Sequence, residues 1–145
     1  MTEQKSSTEK KDFSFKVPFE IEITSKQIEY ILCSAFEGGS NYWANYDYVV
    51  EVDIYDRFLN VEIPIMSSWE FPLYDYGFIV FQQYDLETNE QTETSILDKK
   101  SLFKGAEIMA QKYPRHFKDW INEHDDSITA DVYLQCCLFG EIVYG

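Results

Sequence analysis

The sequence predicts an α+β fold: an antiparallel β-sheet of about four to six strands covered by three to four helices. Two patterns predict it. Apolar residues alternate with period two at 13–23, 47–56 and 58–65, the mark of half-buried strands, and form a strongly apolar run at 77–84. They recur at helical spacing after Thr24, after Asp98 and after Ser127, each time behind a capping residue. The resulting order, β-α-β-β-β-α-α-α with room for a last short strand, puts strands and helices in separate runs, as antiparallel sheets with a helical cover do.

The elements follow in turn. Residues 1–12 are polar and are expected to be a disordered tail, leaving 13–145 as a single domain. Phe13, Phe15, Val17, Phe19, Ile21 and Ile23 then share one face of an expected strand, with Pro18 on the other face marking an edge. Thr24 and Gln27 form a capping-box pattern, and Ile28, Ile31, Leu32, Ala35 and Phe36 extend a helix over about 25–37 that Gly38 should stop. Two strands, 47–56 and 58–65, read as a hairpin, and Gly77 to Tyr84 as an apolar strand. The polar stretch Leu86–Thr94 reads as a loop, with Ser95-Ile96-Leu97 a short strand. Asp98 should cap a second helix that Pro114 interrupts, with Phe117, Trp120 and Ile121 continuing it. Ser127 or Thr129 should cap a third helix, with Val132, Tyr133, Cys136, Cys137 and Phe139 inward and Gly140 as its stop. Residues 141–145 have the composition of a final strand.

Composition narrows the function classes. A chain of 145 residues is long enough to bury roughly 68–70% of its unfolded surface without disulfides or metal. Aromatics are abundant at 17%, which suits a β-rich core and also suits an interface. The formal net charge is −14. Lys5, Lys10 and Lys11 balance Glu3, Glu9 and Asp12 in the tail, so the surplus belongs to the folded part. Such a surface repels nucleic acid and anionic membrane and attracts basic proteins. Cys33, Cys136 and Cys137 all lie in apolar helical patterns, which fits reduced, packed thiols in a cytosol rather than a disulfide framework. No stretch is long and apolar enough for a membrane span, and the N-terminus lacks a signal-peptide core.

No reaction-specific constellation is visible, and no catalytic residue, metal ligand or cofactor is assigned. His116 and His124 stand about two helical turns, roughly 12 Å, apart, too far to share one ion. Ser34, Ser40, Ser67 and Ser68 lack a nucleophile elbow. Gly38-Gly39 follows a helix, whereas phosphate-cradling loops precede one. The strongest candidate ligand surface is the aromatic segment Asn41, Tyr42, Trp43, Tyr46 and Tyr48, with Arg57 as a nearby cation. The competing reading, and the favoured one, has Tyr42 and Trp43 locking the helix-to-strand turn into the core. A candidate acidic interaction surface comprises Glu51, Asp53, Asp56, Asp85, Glu87, Glu90 and Glu93.

Leu32-Cys33-Ser34-Ala35-Phe36-Glu37-Gly38-Gly39-Ser40-Asn41-Tyr42-Trp43, together with the ending from Thr129 through Leu138-Phe139-Gly140-Glu141-Ile142-Val143-Tyr144-Gly145, resembles the two shared blocks of an uncharacterised family of small proteins encoded by bacteriophages, prophages and plasmids. The resemblance covers about a third of the chain and brings no mechanism with it. It implies a mobile-element accessory protein in the cytoplasm of a bacterial host, a setting in which small acidic proteins often antagonise host defence. Three readings follow. The first is an interaction protein that occupies a basic host-protein surface. The second is a binder of a small, nucleotide-like ligand through 41–48. The third, ranked last, is an enzyme. A homo-oligomer is compatible with each, and no direct nucleic-acid or membrane partner is expected.

Overall fold

The structure, a computed structural model, describes residues 10–44, 49–52, 68–75, 77–84, 87–88 and 90–145. It is a mixed α+β arrangement. Helix α1 (Ser25–Ser34) runs into a π-helical turn (Ala35–Gly39). Strand β1 (Val49–Val52), a 3-10 turn (Ser68–Leu73), β2 (Gly77–Tyr84) and β3 (Gln91–Leu97) follow, and then helices α2 (Lys99–Lys112), α3 (Pro114–Ile121) and α4 (Ser127–Phe139). Among the described residues the sheet has three strands in the order β1-β2-β3, both pairs antiparallel. The expected strand at 58–65 lies outside the described residues.

Local chemistry explains the helix ends. The Thr24 side chain accepts from the Gln27 backbone while the Gln27 side chain accepts from the Thr24 backbone, closing the expected capping box. Asp98 caps α2 in the same way with Ser101. Pro114 sits at the first position of α3, where its missing N–H costs nothing, and so separates α2 from α3. Gly140 ends α4 in the left-handed conformation, φ 74°. Two expectations are corrected. The N-cap of α4 is Asp126, whose carboxylate accepts from the Thr129 backbone at 2.9 Å. Gly38 does not stop the first helix: its φ is not positive, and the chain continues through a widened turn in which the Ser40 N–H reaches back five residues to the Ala35 carbonyl at 3.0 Å.

Three strand expectations also change. Residues 13–23 form no strand. Phe13, Phe15, Val17 and Phe19 are exposed along an extended segment. Alternation makes a strand only where another strand supplies ladder partners, and the segment has none among the described residues. Strand β3 begins at Gln91, inside the stretch read as loop, because antiparallel pairing with β2 carries it past its polar composition. Residues 141–145 are not a strand, for a reason that lies in the site below.

Helix α4 is central rather than one-sided. Every residue from Thr129 to Cys137 is buried, as befits a helix packed by α2, α1 with its π-helical turn, α3 and β3. Ile31, Leu32, Ile79, Leu97, Leu102, Met109 and Tyr133 complete the core at full burial. The α2–α4 crossing is close because Gly105 has no side chain: a Cβ there would stand 2.3 Å from Cys137 Sγ and 2.8 Å from its Cα. Among the described residues, no helix is long and apolar enough to cross a membrane.

Candidate functional site

The segments 32–43 and 129–145, distant in sequence, meet around one carboxylate. Asp131 projects from the middle of α4 and is only 6% exposed. Its Oδ1 accepts from the Ser40 hydroxyl at 2.8 Å and from Trp43 Nε1 at 2.6 Å. Its Oδ2 accepts from the Tyr42 hydroxyl at 2.5 Å and from Gln135 Nε2 at 3.0 Å. All four donors are neutral. A buried carboxylate is tolerated where hydrogen bonds replace its water, and here both oxygens are saturated. The π-helical turn sets up this geometry, since its extra residue per turn brings Ser40, Tyr42 and Trp43 round toward α4. Gly39 lets that turn seat directly on the first residue of α4: a Cβ would stand 2.2 Å from the Ser127 carbonyl oxygen.

Gln135, one turn after Asp131, holds the C-terminal residues. Its Oε1 accepts from the backbone N–H groups of Val143 and Tyr144, each at 2.8 Å, and its Nε2 also reaches the Tyr144 carbonyl at 3.2 Å. The Ile142 N–H goes to the Tyr113 hydroxyl at 2.8 Å. Side chains therefore take the donors that a strand would offer to a sheet, which is why 141–145 pairs with no strand. The Tyr144 ring lies flat on Trp43, with centroids 5.0 Å apart and planes 1° from parallel, and Phe139 meets both rings edge-on.

A cleft of about 410 Å³ opens beside this network, lined in part by Tyr42, His116, Ser127, Asp131, Gln135 and Tyr144. His116 Nδ1 is buried, and no hydrogen-bond partner is seen for it among the described residues. Burial of the hydroxyl end, reinforced by the bond to Asp131, pushes the Tyr42 phenol up to about 12 from its ordinary 10. The neutral phenol is the form this bond requires. Its contribution to stability is whole below pH 10 and is lost as the pH rises toward 12. Ultraviolet titration is expected to show a late-ionising tyrosine that Tyr42→Phe removes; an unchanged curve would contradict the bond.

Burial bears on the candidate nucleophiles. Ser40 donates to Asp131 but is 1% exposed, so its hydroxyl cannot meet a substrate. Burial raises all three thiols, Cys136 to about 12 and Cys137 higher still, which leaves little thiolate at neutral pH.

Of the residues expected from sequence to bind, Tyr42 and Trp43 are tied into the network. Asn41 is exposed beside it, and the Tyr42 ring keeps an exposed edge. Tyr46, Tyr48 and Arg57 lie outside the described residues. Of the acidic set, Glu51 falls in β1 opposite Phe78, and Glu87, Glu90 and Glu93 are exposed at the β2–β3 end of the sheet. Asp53, Asp56 and Asp85 lie outside the described residues. The reading from sequence missed Asp131, Gln135 and the role of His116. A signal existed for the first two: a polar pair four residues apart inside the otherwise apolar run 130–139. No protein-family model, curated protein or solved structure matches this chain.

Proposed function

We propose that this chain is an acidic mobile-element accessory protein that acts by binding, engaging the basic surface of a host protein and thereby antagonising it, a defence nuclease being one such target. The observation that carries the reading is charge. The chain holds 26 acidic against 12 basic residues. Of the eighteen carboxylate side chains whose burial is described, Asp131 is the one in the buried class, and the others are exposed or partly exposed. Exposed carboxylates at Glu90 and Glu93 cluster at one end of the sheet, where a basic groove could be met. Such an interface draws its speed and specificity from long-range attraction that salt screens over about 8–10 Å.

A pull-down from bacterial lysate at low salt should recover a basic protein and lose it at high salt. Glu90→Lys with Glu93→Lys should slow association roughly tenfold while leaving the fold intact. Recovery of nothing basic, or a complex indifferent to both salt and charge reversal, rejects the reading.

A second reading has its own observation. The cleft beside Asp131, with His116 in its lining and no hydrogen-bond partner for the buried Nδ1 of that residue among the described residues, has the size of a small-ligand site. Its ligand would be a ring that packs on Tyr42 and bonds to His116, which is the nucleotide-like alternative relocated from free aromatic faces to this cleft. The same protein screened by thermal shift against nucleotides separates the two readings. A ligand at a hundredfold excess over its Kd adds about 2.7 kcal/mol, and His116→Ala should abolish that gain.

A further inference from the structure

The segment 10–23 holds apolar surface that its own molecule does not cover. Phe13, Phe15, Val17 and Phe19 are 84%, 77%, 66% and 77% exposed. The Phe13 and Phe15 rings, two residues apart, stack at 6.3 Å. Soluble monomers seldom display a contiguous patch of this kind. At the inner end of the segment, Phe19, Ile21 and Ile23 form one wall of an apolar groove of about 440 Å³, whose other wall comes from α2 and α3 through Leu102, Phe103, Ala106 and Phe117. Phe103 is itself 56% exposed on the groove. One chain thus carries both an apolar arm and an apolar groove, each uncovered.

We propose that the occupant of the groove is the arm of a second copy of this chain, so that two copies exchange residues 13–17 across a two-fold axis. Three observations favour a second copy over a fold-back or an unrelated partner. The arm's base, Phe19 to Ile23, already forms a wall of its own groove, so residues just before it would have to double back over that wall to fill it. The outer part of the arm, 10–17, carries Lys10, Lys11 and Lys16 against Asp12, with Glu20 and Glu22 in its base beyond, whereas the single charged residue lining the groove is Glu107, of the opposite sign to that outer part. Area also suffices. Phe13, Phe15 and Val17 bury about 500 Å² per arm, and two arms on two grooves, both faces counted, cover roughly 2,000 Å² in total, the range of a stable dimer. Reciprocal exchange closes the assembly at two and leaves no free arm to propagate it.

Light scattering on the full chain is expected to give twice the 17.2 kDa chain mass. Phe13→Glu with Phe15→Glu should halve the measured mass without altering the circular dichroism spectrum, since neither ring contacts the core. Phe103→Glu should do the same from the groove side. Mixing a Phe15→Cys chain with a Phe103→Cys chain should yield a disulfide-linked heterodimer. A monomeric full chain overturns the proposal, as does a dimer that survives either glutamate variant. If Phe15→Cys and Phe103→Cys in one chain close within a monomer, the arm folds back on itself, and the exchange is again overturned.

Discussion

Asp131→Ala is expected to lower stability by about 4 kcal/mol, which corresponds to a fall in melting temperature of roughly 10 °C for a chain of this size. The reason is the fate of the donors. Tyr42 and Gln135 keep a second acceptor, the Tyr144 carbonyl at 3.1 and 3.2 Å. Ser40, which is fully buried, and Trp43 Nε1 have Asp131 as their acceptor here and lose it. Each orphaned buried donor costs about 1–3 kcal/mol, and the vacated volume adds a cavity term. Asp131→Asn should cost less, because its carbonyl oxygen still accepts on one side and the Tyr42 hydroxyl can turn to accept from the new amide. A double-mutant cycle isolates the hub. Ser40→Ala should cost about 1–2 kcal/mol in the native background and close to nothing beside Asp131→Ala. Equilibrium urea unfolding measures all four proteins. A loss below about 1 kcal/mol for Asp131→Ala would mean that water replaces the carboxylate without penalty and that the network is incidental.

How much of this was legible in the sequence depends on how far each interaction reaches along the chain. The Thr24–Gln27 box, the Asp98 cap, the Pro114 break and the Gly140 stop could be read because each is settled within four residues. Strand β2 was legible because its run of apolar residues needs no particular partner to be buried. The segment 13–23 shows the opposite case. Its alternation is as regular as that of any strand in the chain, yet a period-two pattern states which residues want one face, not what will cover it. The tail 141–145 was misread because its donors are taken by the side chains of Gln135 and Tyr113, and a sequence scan offers backbone only other backbone. The site itself depends on Ser40, Tyr42 and Trp43 reaching a residue 88 to 91 positions away. Composition singled out the segment around Asn41, and the favoured expectation, that Tyr42 and Trp43 lock the turn into the core, holds for Trp43, which packs against the core, and not for Tyr42, which is 59% exposed. What it lacked was the acceptor. Asp131 and Gln135 stood out only as polar residues where α4 is otherwise apolar, and that becomes informative once α4 is known to be buried on every side.

Gly39→Ala and Gly38→Ala are expected to move stability in opposite directions, although the two residues are neighbours in one turn. A Cβ on Gly38 meets nothing within 4 Å, and its φ is not positive. Alanine there restricts the unfolded chain and should stabilise the fold by about 0.5 kcal/mol. A Cβ on Gly39 would stand 2.2 Å from the Ser127 carbonyl oxygen and 3.1 Å from its carbon. Both partners are backbone, one in the π-helical turn and the other at the start of α4, so no side chain can swing aside. Relief requires the turn to lift from α4, and Ser40 and Trp43 are the residues that follow it. The clash therefore carries over into the Asp131 bonds, and the expected cost of about 3 kcal/mol combines overpacking with partial loss of the network. Asp131→Ala made first should shrink the effect of Gly39→Ala, since part of what the clash breaks is then already gone. Urea midpoints for the two alanine variants are the decisive comparison: equal losses at Gly38 and Gly39 would show that the turn responds to helix propensity alone and does not rest on Ser127.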